Sequence, residues 1–257
     1  MKLDKKVIKK LLPDKFRKYC LIGICNPKYL DDAKSVYSIK NKKWSVAPRE
    51  LFPALKSIIV LIHFTPVACD YKVEEIAIEL GSLLWEKLGL KTHIINKNGK
   101  VDRDNLVGTE WGASSIRYDR LILLKELAYY AGLGQYGKNT LLINPRFGSD
   151  FKIQALFTEE RLKYDSPMAS RKYPNCKDCN QCIELCPGQA LRPHKIDPLK
   201  CQWHWDEIFS KRIARPHFLY LIRLRKPKAE GYSFEYKTCR NCQTFCKVNI
   251  THYKVVS

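Results

Sequence analysis

The pattern of apolar and polar residues predicts a mixed α/β architecture for the first part of the chain. The run Ser57–Phe64 is apolar and rich in β-branched residues, which is typical of a buried strand. Apolar residues then recur every three or four positions from Val73 to Leu88, a helical pattern that Gly89 ends. Further strands are predicted at residues 92–95, 140–144 and 152–157, and a second helix over residues 121–131. Strands alternating with helices favour an α/β layer domain.

The character of the sequence changes after Thr158, where prolines and charged residues lead into a cysteine-rich segment. We therefore predict two domains, 1–165 and 166–257. The second contains short helical pieces, such as residues 201–209, and a basic insert between Cys201 and Cys239. The basic residues of this insert are Lys211, Arg212, Arg215, Arg223, Arg225, Lys226 and Lys228.

The spacing of four cysteines in the second domain indicates an iron–sulfur site. They follow the pattern C-x2-C-x2-C-x3-C and precede Pro187, which is the bacterial ferredoxin run for a 4Fe-4S cluster. In proteins with two such clusters, the fourth cysteine of the run binds the other cluster, so a partner motif is required. The run consists of Cys176, Cys179, Cys182 and Cys186.

A C-x2-C-x3-C motif at Cys239, Cys242 and Cys246 is the same run without its first cysteine, and Cys201 supplies the missing ligand. One predicted cluster is held by Cys176, Cys179, Cys182 and Cys246, and the other by Cys186, Cys201, Cys239 and Cys242. Zinc is the alternative, because paired C-x2-C units also form zinc ribbons. However, zinc gives no reason for the third and fourth cysteines of the run.

Three cysteines remain of the 11 in the chain: Cys20, Cys25 and Cys69. They have no partner motif, and buried free thiols behave as small apolar side chains, so packing is their predicted role. A reducing compartment agrees with this use of cysteine. No apolar stretch approaches the roughly 20 residues of a membrane span, and the lysine-rich N-terminus lacks the core of a secretory signal. The prediction is an intracellular, cytoplasmic protein without a membrane segment.

A glycine-rich loop links the predicted second helix to the next strand. Gly132, Gly134 and Gly137 match G-x-G-x-x-G, but a dinucleotide fingerprint must follow a strand and open a helix. Two interpretations stay open. The backbone and Lys138 of the loop can present donors to a phosphate or to an amide-rich cofactor rim. Alternatively, the glycines form a helix C-cap and turn, which gives no reason for Lys138 and Asn139.

The segment 127–149, LAYYAGLGQYGKNTLLINPRFGS, resembles the epoxyqueuosine reductases when it is taken with the ferredoxin run, the separate Cys201 and the second cysteine motif. These elements occur in the family's order between Leu127 and Cys246. That family depends on cobalamin and two 4Fe-4S clusters, and it is related to the reductive dehalogenases. The resemblance implies a nitroreductase-like α/β domain that binds cobalamin, followed by a small ferredoxin-like two-cluster module.

The resemblance also implies roles for individual residues. By position, Gly137, Lys138, Asn139 and Leu142 line the corrin, with Ile153 on the next strand. Cobalamin is expected in its base-off form, and the chain lacks the D-x-H-x-x-G signature of base-on corrinoid modules. Electrons from a low-potential donor, such as a ferredoxin or flavodoxin, enter one cluster, cross to the other and reach cobalamin.

The family's proton donor is an aspartate shortly before the glycine loop. Counting back without gaps from Ala131 reaches Tyr118, and a slip of one residue reaches Asp119. A buried carboxylic acid with a raised pKa can deliver a proton, and so can a phenol. Asp119 is equally suited to be a helix N-cap before Arg120. Both Asp119 and Tyr118 stay catalytic candidates.

The expected reaction is reduction of the epoxide of epoxyqueuosine in tRNA to queuosine. The chain has 46 Lys and Arg against 26 Asp and Glu, a formal charge of +20, which suits an anionic partner such as tRNA. The basic insert and the lysine-rich N-terminus are the candidate contacts. Two alternatives are an iron–sulfur electron-transfer protein without cobalamin, and a corrinoid reductase acting on a small molecule.

Overall fold

The computed structural model describes residues 3–31, 38–39, 42–43, 47–64, 73–94, 124–197, 200–201 and 241–249. Two compact units divide the chain. The first comprises Met1–Gln135 and Leu142–Arg171, and the second comprises Tyr136–Leu141 and Lys172–Ser257. The division therefore falls six residues after the predicted boundary at 165, and it groups the tip of the glycine-rich loop with the cysteine-rich segment.

Seven helices and ten strands have bounds within the described residues. The helices are α1 Lys5–Leu11, α2 Asp14–Arg17, α3 Pro48–Leu51, α4 Val73–Leu88, α5 Leu124–Tyr130, α6 Gln181–Glu184 and α7 Asn241–Thr244. The strands are β1 Cys20–Cys25, β2 Ser38–Ile39, β3 Lys42–Lys43, β4 Ser57–Phe64, β5 His93–Ile94, β6 Gln135–Tyr136, β7 Leu142–Ile143, β8 Phe151–Thr158, β9 Leu191–Arg192 and β10 Lys195–Ile196. Short 3₁₀ turns occupy Pro27–Leu30 and Pro174–Cys176.

A four-stranded sheet with the order β1-β4-β8-β5 forms the centre of the first unit. Its three strand pairs are all antiparallel; in register, Gly23 lies opposite Val60, and Val60 lies opposite Ala155. The residues of β4 are buried along its whole length. Because successive side chains of a strand point to opposite faces, a strand buried throughout must be covered on both faces.

Helices cover the two faces of the sheet. One face contributes Ile22, Ile59 and Leu156 to a core shared with apolar residues of α1 and α4. The helix α5 contacts β1, β4 and β8. Ile22 and Ile24, the residues beside Gly23 in β1, belong to this core, so a side chain on Gly23 would point to the other face of the sheet. A Cβ atom there would lie 2.3 Å from the carbonyl oxygen of Ala131, just past the end of α5. The helix α5 therefore packs on the face opposite to α1 and α4.

The predicted elements are largely present. The strand Ser57–Phe64 and the helix Val73–Leu88 have the predicted bounds. The strand predicted at 152–157 is the longer β8, whereas those predicted at 92–95 and 140–144 shrink to the two-residue β5 and β7. The helix predicted over 121–131 is α5, and its first residues lie outside the described residues. The fold is mixed α/β, but the sheet is antiparallel rather than the parallel sheet that alternation favours.

Gly132 ends α5 in a Schellman motif. Its φ of +70° is the left-handed conformation that glycine adopts without penalty. Its N–H donates to the carbonyl of Tyr129 at 3.0 Å, and the N–H of Leu133 donates to the carbonyl of Ala128 at 2.9 Å. The first glycine of the G-x-G-x-x-G pattern is thus a helix C-cap. None of the helices in the described parts of the chain is long and apolar enough to cross a membrane.

Candidate iron–sulfur site

The first cysteine motif is folded as a series of tight turns in the second unit. Cys176 ends the 3₁₀ turn Pro174–Cys176, and its carbonyl accepts a hydrogen bond from the N–H of Cys179 at 3.3 Å. Cys182 lies on the four-residue helix α6 and is buried. Cys186 follows α6, and its sulfur accepts a hydrogen bond from the N–H of Ala190 at 3.3 Å.

The second motif is packed beside the first. Cys242 lies on α7, which contacts α6, and Cys246 follows one turn later with its N–H donating to the carbonyl of Gln243. The side-chain amide of Asn241 donates to the carbonyl of Leu185 at 3.4 Å, a direct link between the motifs. Cys201 is partly buried, and its N–H donates to the carbonyl of Asp197 at 3.1 Å.

Electrostatics shows that Cys246 lies near the first three cysteines of the ferredoxin run. Burial, together with the neighbouring thiols of Cys246, Cys176 and Cys179, raises the pKa of the Cys182 thiol to about 11. Burial also raises the pKa of Cys176; a hydrogen bond from the backbone N–H of Lys138 opposes the rise, while Cys246 and Cys179 add to it. The thiols of Cys176 and Cys182 are therefore both influenced by the thiol of Cys246, which comes from the second motif.

This donor set suits an iron–sulfur cube. A 4Fe-4S cluster is held by four thiolates. Thiols with raised pKa values release their protons when they bind the metal. Within the described part of the chain, no group of three or more His, Cys, Asp or Glu side chains is arranged to hold a metal ion.

The predicted corrin-lining residues fall into both units. Gly137, Lys138 and Asn139 belong to the second unit, whereas Leu142, on β7, and Ile153, on β8, belong to the first. Leu142 is 3% exposed, so its side chain is already enclosed by protein. Gly134, in the same loop, has no room for a side chain, because a Cβ atom there would lie 2.8 Å from the carbonyl oxygen of Ile143.

The side chains of Lys138 and Asn139 are hydrogen-bonded inside the second unit. The Lys138 ammonium donates to the carbonyl of Lys177 at 2.7 Å and to Oδ1 of Asn180 at 2.8 Å. The Asn139 amide donates to the carbonyl of Cys242 at 2.9 Å. Neither of the two interpretations of the glycine-rich loop predicted these contacts.

Several predicted residues lie outside the described residues. Among the site residues these are Asp119, Tyr118 and the cluster ligand Cys239, and the others are Cys69 and the basic insert. Their roles stay predictions. Cys20 and Cys25 are described, and both are fully buried in β1, as predicted for packing thiols.

Tyr173 is a site residue that the sequence did not indicate. It precedes the 3₁₀ turn of the first motif, and its N–H donates to the carbonyl of Tyr136 at 2.9 Å. Burial raises the pKa of its phenol, and the nearby thiols of Cys176 and Cys246 add to the rise. Its position three residues before Cys176 was the available signal, but no ligand-spacing rule includes that position.

No family model matches the chain. An epoxyqueuosine reductase of Leadbetterella byssophila is 31% identical over 223 residues, which cover 84% of this chain and 66% of that protein. The chain is related to the epoxyqueuosine reductases. The family resemblance predicted from the motifs is thereby confirmed, and the chain spans about two thirds of the length of this relative.

A solved structure agrees on the fold. The crystal structure of an epoxyqueuosine reductase with an epoxyqueuosine-modified tRNA-Tyr stem loop has a TM-score of 0.59 and 18% identity, covering 95% of this chain and 64% of that one. The predicted link to reductive dehalogenases is also confirmed. The tetrachloroethene reductive dehalogenase of Dehalobacter restrictus is 26% identical over 153 residues, 53% of this chain and 27% of that protein.

Proposed function

We propose that the protein is an iron–sulfur, cobalamin-dependent reductase that converts epoxyqueuosine in tRNA to queuosine. The observation that carries the proposal is the group of four interacting thiols, Cys176, Cys179, Cys182 and Cys246, in a relative of the epoxyqueuosine reductases. Removal of the epoxide oxygen as water consumes two electrons and two protons. Two one-electron clusters suit the electron supply, because clusters of this kind reach low potentials.

The proposed ligand sets follow the ferredoxin arrangement. Cys176, Cys179, Cys182 and Cys246 hold one 4Fe-4S cluster in a ferredoxin-like module. Cys186, Cys201, Cys239 and Cys242 hold the other. The contact between α6 and α7 supports this assignment, because Cys186 follows α6 and Cys242 lies on α7. A low-potential ferredoxin or flavodoxin is the proposed electron donor.

Cobalamin is the second proposed cofactor, held by a nitroreductase-like domain. When bound, it supplies the reducing chemistry at the epoxide carbon. Gly137, Lys138, Asn139, Leu142 and Ile153 remain the proposed corrin-lining residues. Because Lys138 and Asn139 use their side-chain donors inside the second unit, we assign no corrin hydrogen bond to these donors. Asp119 or Tyr118 is the proposed proton donor to the departing oxygen.

Transfer RNA is the proposed substrate, and the cytoplasm is accordingly the proposed location. The solved relative with a modified tRNA stem loop supports this choice. Exposed lysines on and around α1 and α2 are suited to phosphate contacts, whose affinity comes largely from counterion release. These lysines are Lys6, Lys10, Lys15 and Lys18. The basic insert is the other proposed contact.

Anaerobic reconstitution with iron, sulfide and cobalamin tests the proposal. We expect about eight irons per chain, retained corrin absorption bands, and conversion of an epoxyqueuosine-modified stem loop in the presence of a low-potential reductant. Clusters without corrin bands would identify an electron-transfer protein instead. If corrin bands are retained but tRNA binding does not depend on salt concentration, a small-molecule substrate would be favoured, because phosphate contacts make binding salt-dependent.

Cysteine variants test the ligand sets. Cys246→Ala should lower the iron content by about four per chain, because it removes one ligand of a four-iron cluster. Cys25→Ala is the matched control, since Cys25 is a buried thiol of the first unit and should leave the iron content unchanged. Cys239→Ala should remove the other cluster, and Cys69→Ala should remove none. Full iron content in the Cys246 or Cys239 variant would contradict the assignment.

A further inference from the structure

Lys138 contacts the first cysteine motif through its ammonium and its backbone N–H, and it contacts His194 through its carbonyl. Its ammonium donates to the carbonyl of Lys177 at 2.7 Å and to Oδ1 of Asn180 at 2.8 Å, two residues that lie between the first and third cysteines of the motif. Its backbone N–H donates to the sulfur of Cys176. Its carbonyl accepts from the N–H of His194 at 3.1 Å. The charge and the backbone of Lys138 are therefore both held beside a proposed cluster ligand.

Asn139 makes the equivalent contact with the second motif. Its Nδ2 donates to the carbonyl of Cys242 at 2.9 Å, and its Oδ1 accepts from the N–H of Leu141 at 3.2 Å. The residue is 3% exposed, so both ends of a buried amide are used. Adjacent residues of one loop thus reach the two motifs, and each reaches a cysteine of a different proposed ligand set.

The charge of Lys138 is not cancelled by the two side-chain contacts described, because a carbonyl and an amide oxygen are neutral. Reduction adds one negative charge to a cluster. A fixed cation and an N–H···S hydrogen bond both stabilise that charge, and cluster potentials respond to both. Lys138 supplies the two effects together, whereas Asn139 supplies only a neutral hydrogen bond to the backbone of a ligand.

We propose that Lys138 and Asn139 are positioning residues that each tune one cluster: Lys138 raises the reduction potential of the cluster held by Cys176, and Asn139 fixes the geometry of the cluster held by Cys242. The inference rests on the proposed function only in requiring the two clusters. It requires neither cobalamin nor tRNA. The loop therefore acts on the electron-transfer centres themselves, in addition to any contact it makes with a corrin.

Redox titration of the reconstituted full chain, followed by electron paramagnetic resonance, tests the role of Lys138. Cys176→Ser and Cys242→Ser first assign the two cluster signals. In Lys138→Gln we expect the redox equilibrium of the Cys176 cluster to shift about tenfold towards the oxidised form, which is about 59 mV for one electron. Lys138→Arg keeps the charge and should restore most of the potential.

Lys195→Gln is the matched control for the loss of one positive charge. Lys195 is an exposed residue of β10 in the same unit, so its loss should move the potential by much less. Equal shifts in Lys138→Gln and Lys195→Gln would overturn the tuning role, since net charge alone would then explain them. A Lys138→Gln chain that no longer holds iron would also overturn it and leave Lys138 a structural residue.

Asn139→Ala tests the second half of the proposal without any change in charge. We expect an altered line shape and potential for the Cys242 cluster, with the signal of the Cys176 cluster unchanged. Changes in both signals, or in neither, would overturn the separate assignment. The wild-type chain distinguishes the two levels of failure. If it binds no clusters, the proposed function fails as well, whereas two clusters with unshifted variants refute the tuning inference alone.

Discussion

Replacement of Gly23 by alanine should destabilise the first unit by an identifiable steric mechanism. The added Cβ would lie 2.3 Å from the carbonyl oxygen of Ala131 and 2.9 Å from its Cβ. Real Cβ contacts essentially never fall below 3.0 Å. Neither neighbouring atom is the end of a flexible side chain, so the strand and the end of α5 must separate. Overpacking of a core costs about 1–3 kcal/mol, and we expect the upper end, about 3 kcal/mol.

Gly89→Ala is the matched control, because it adds the same Cβ atom at a position where the backbone conformation, and not a lack of space, opposes alanine. A Cβ on Gly89 meets nothing within 4 Å, but its φ of +64° is left-handed. That conformation costs alanine about 1–2 kcal/mol, and the smaller entropy of the unfolded alanine chain offsets part of this. Gly23 has no positive φ, so only the lack of space opposes alanine there.

Urea unfolding monitored by circular dichroism measures both variants. We expect Gly23→Ala to lose about 2 kcal/mol more than Gly89→Ala, and its Tm to fall by about 6–12 °C if each kcal/mol lowers Tm by about 2–4 °C. A Gly23→Ala variant as stable as Gly89→Ala would show that β1 and the end of α5 separate at little cost. The close packing of β1 against the end of α5 would then be refuted as the reason for glycine at this position.

Three further predictions concern single side chains. Burial lowers the pKa of His63, so as pH falls through about 6.5 the unfolded chain binds the proton more readily than the folded chain. The free energy of unfolding should therefore fall below that pH, and His63→Gln should flatten the fall in urea titrations at pH 7.5 and 5.5. Burial raises the pKa of Cys20 and Cys25 to about 12, so alkylation at pH 8, measured by mass spectrometry, should be about a thousandfold slower than after unfolding. Turnover assays of Asp119→Asn and Tyr118→Phe should show loss in one variant only; retained turnover in both removes this position from the mechanism.

The elements with long, uniform patterns were predictable from the sequence. The strand β4 and the helix α4 have the predicted bounds, because β4 is an unbroken apolar run of eight residues and α4 keeps a helical apolar periodicity over 16 residues. The strand β1 was missed, since its sequence CLIGIC has a central glycine, which normally weakens a strand. The tertiary contact of Gly23 with Ala131 explains that glycine, and such a contact leaves no local signal.

The candidate site also has a part that the sequence predicts and a part that it does not. Cysteine spacing follows from the geometry of the clusters, so the proximity of Cys246 to the first three cysteines could be expected from the sequence. The partners of Lys138 and Asn139 could not be expected. Two of their three acceptors are backbone carbonyls, those of Lys177 and Cys242, and every residue type carries such a carbonyl.

The two proposed uses of positive charge, on tRNA and on a cluster, can be separated by salt. Exposed lysines such as Lys6 and Lys10 face solvent, where their attraction for phosphate falls as the Debye length shrinks from about 10 Å at 0.1 M salt to about 3 Å at 1 M. The ammonium of Lys138 is hydrogen-bonded to Lys177 and Asn180, which lie between cysteines of a proposed ligand set, so the separation is shorter than these Debye lengths. Salt should weaken tRNA retention strongly while leaving the Lys138-dependent potential nearly unchanged. On the proposed function, the formal +20 thus combines lysines suited to an anionic substrate with one lysine held beside a proposed cluster ligand.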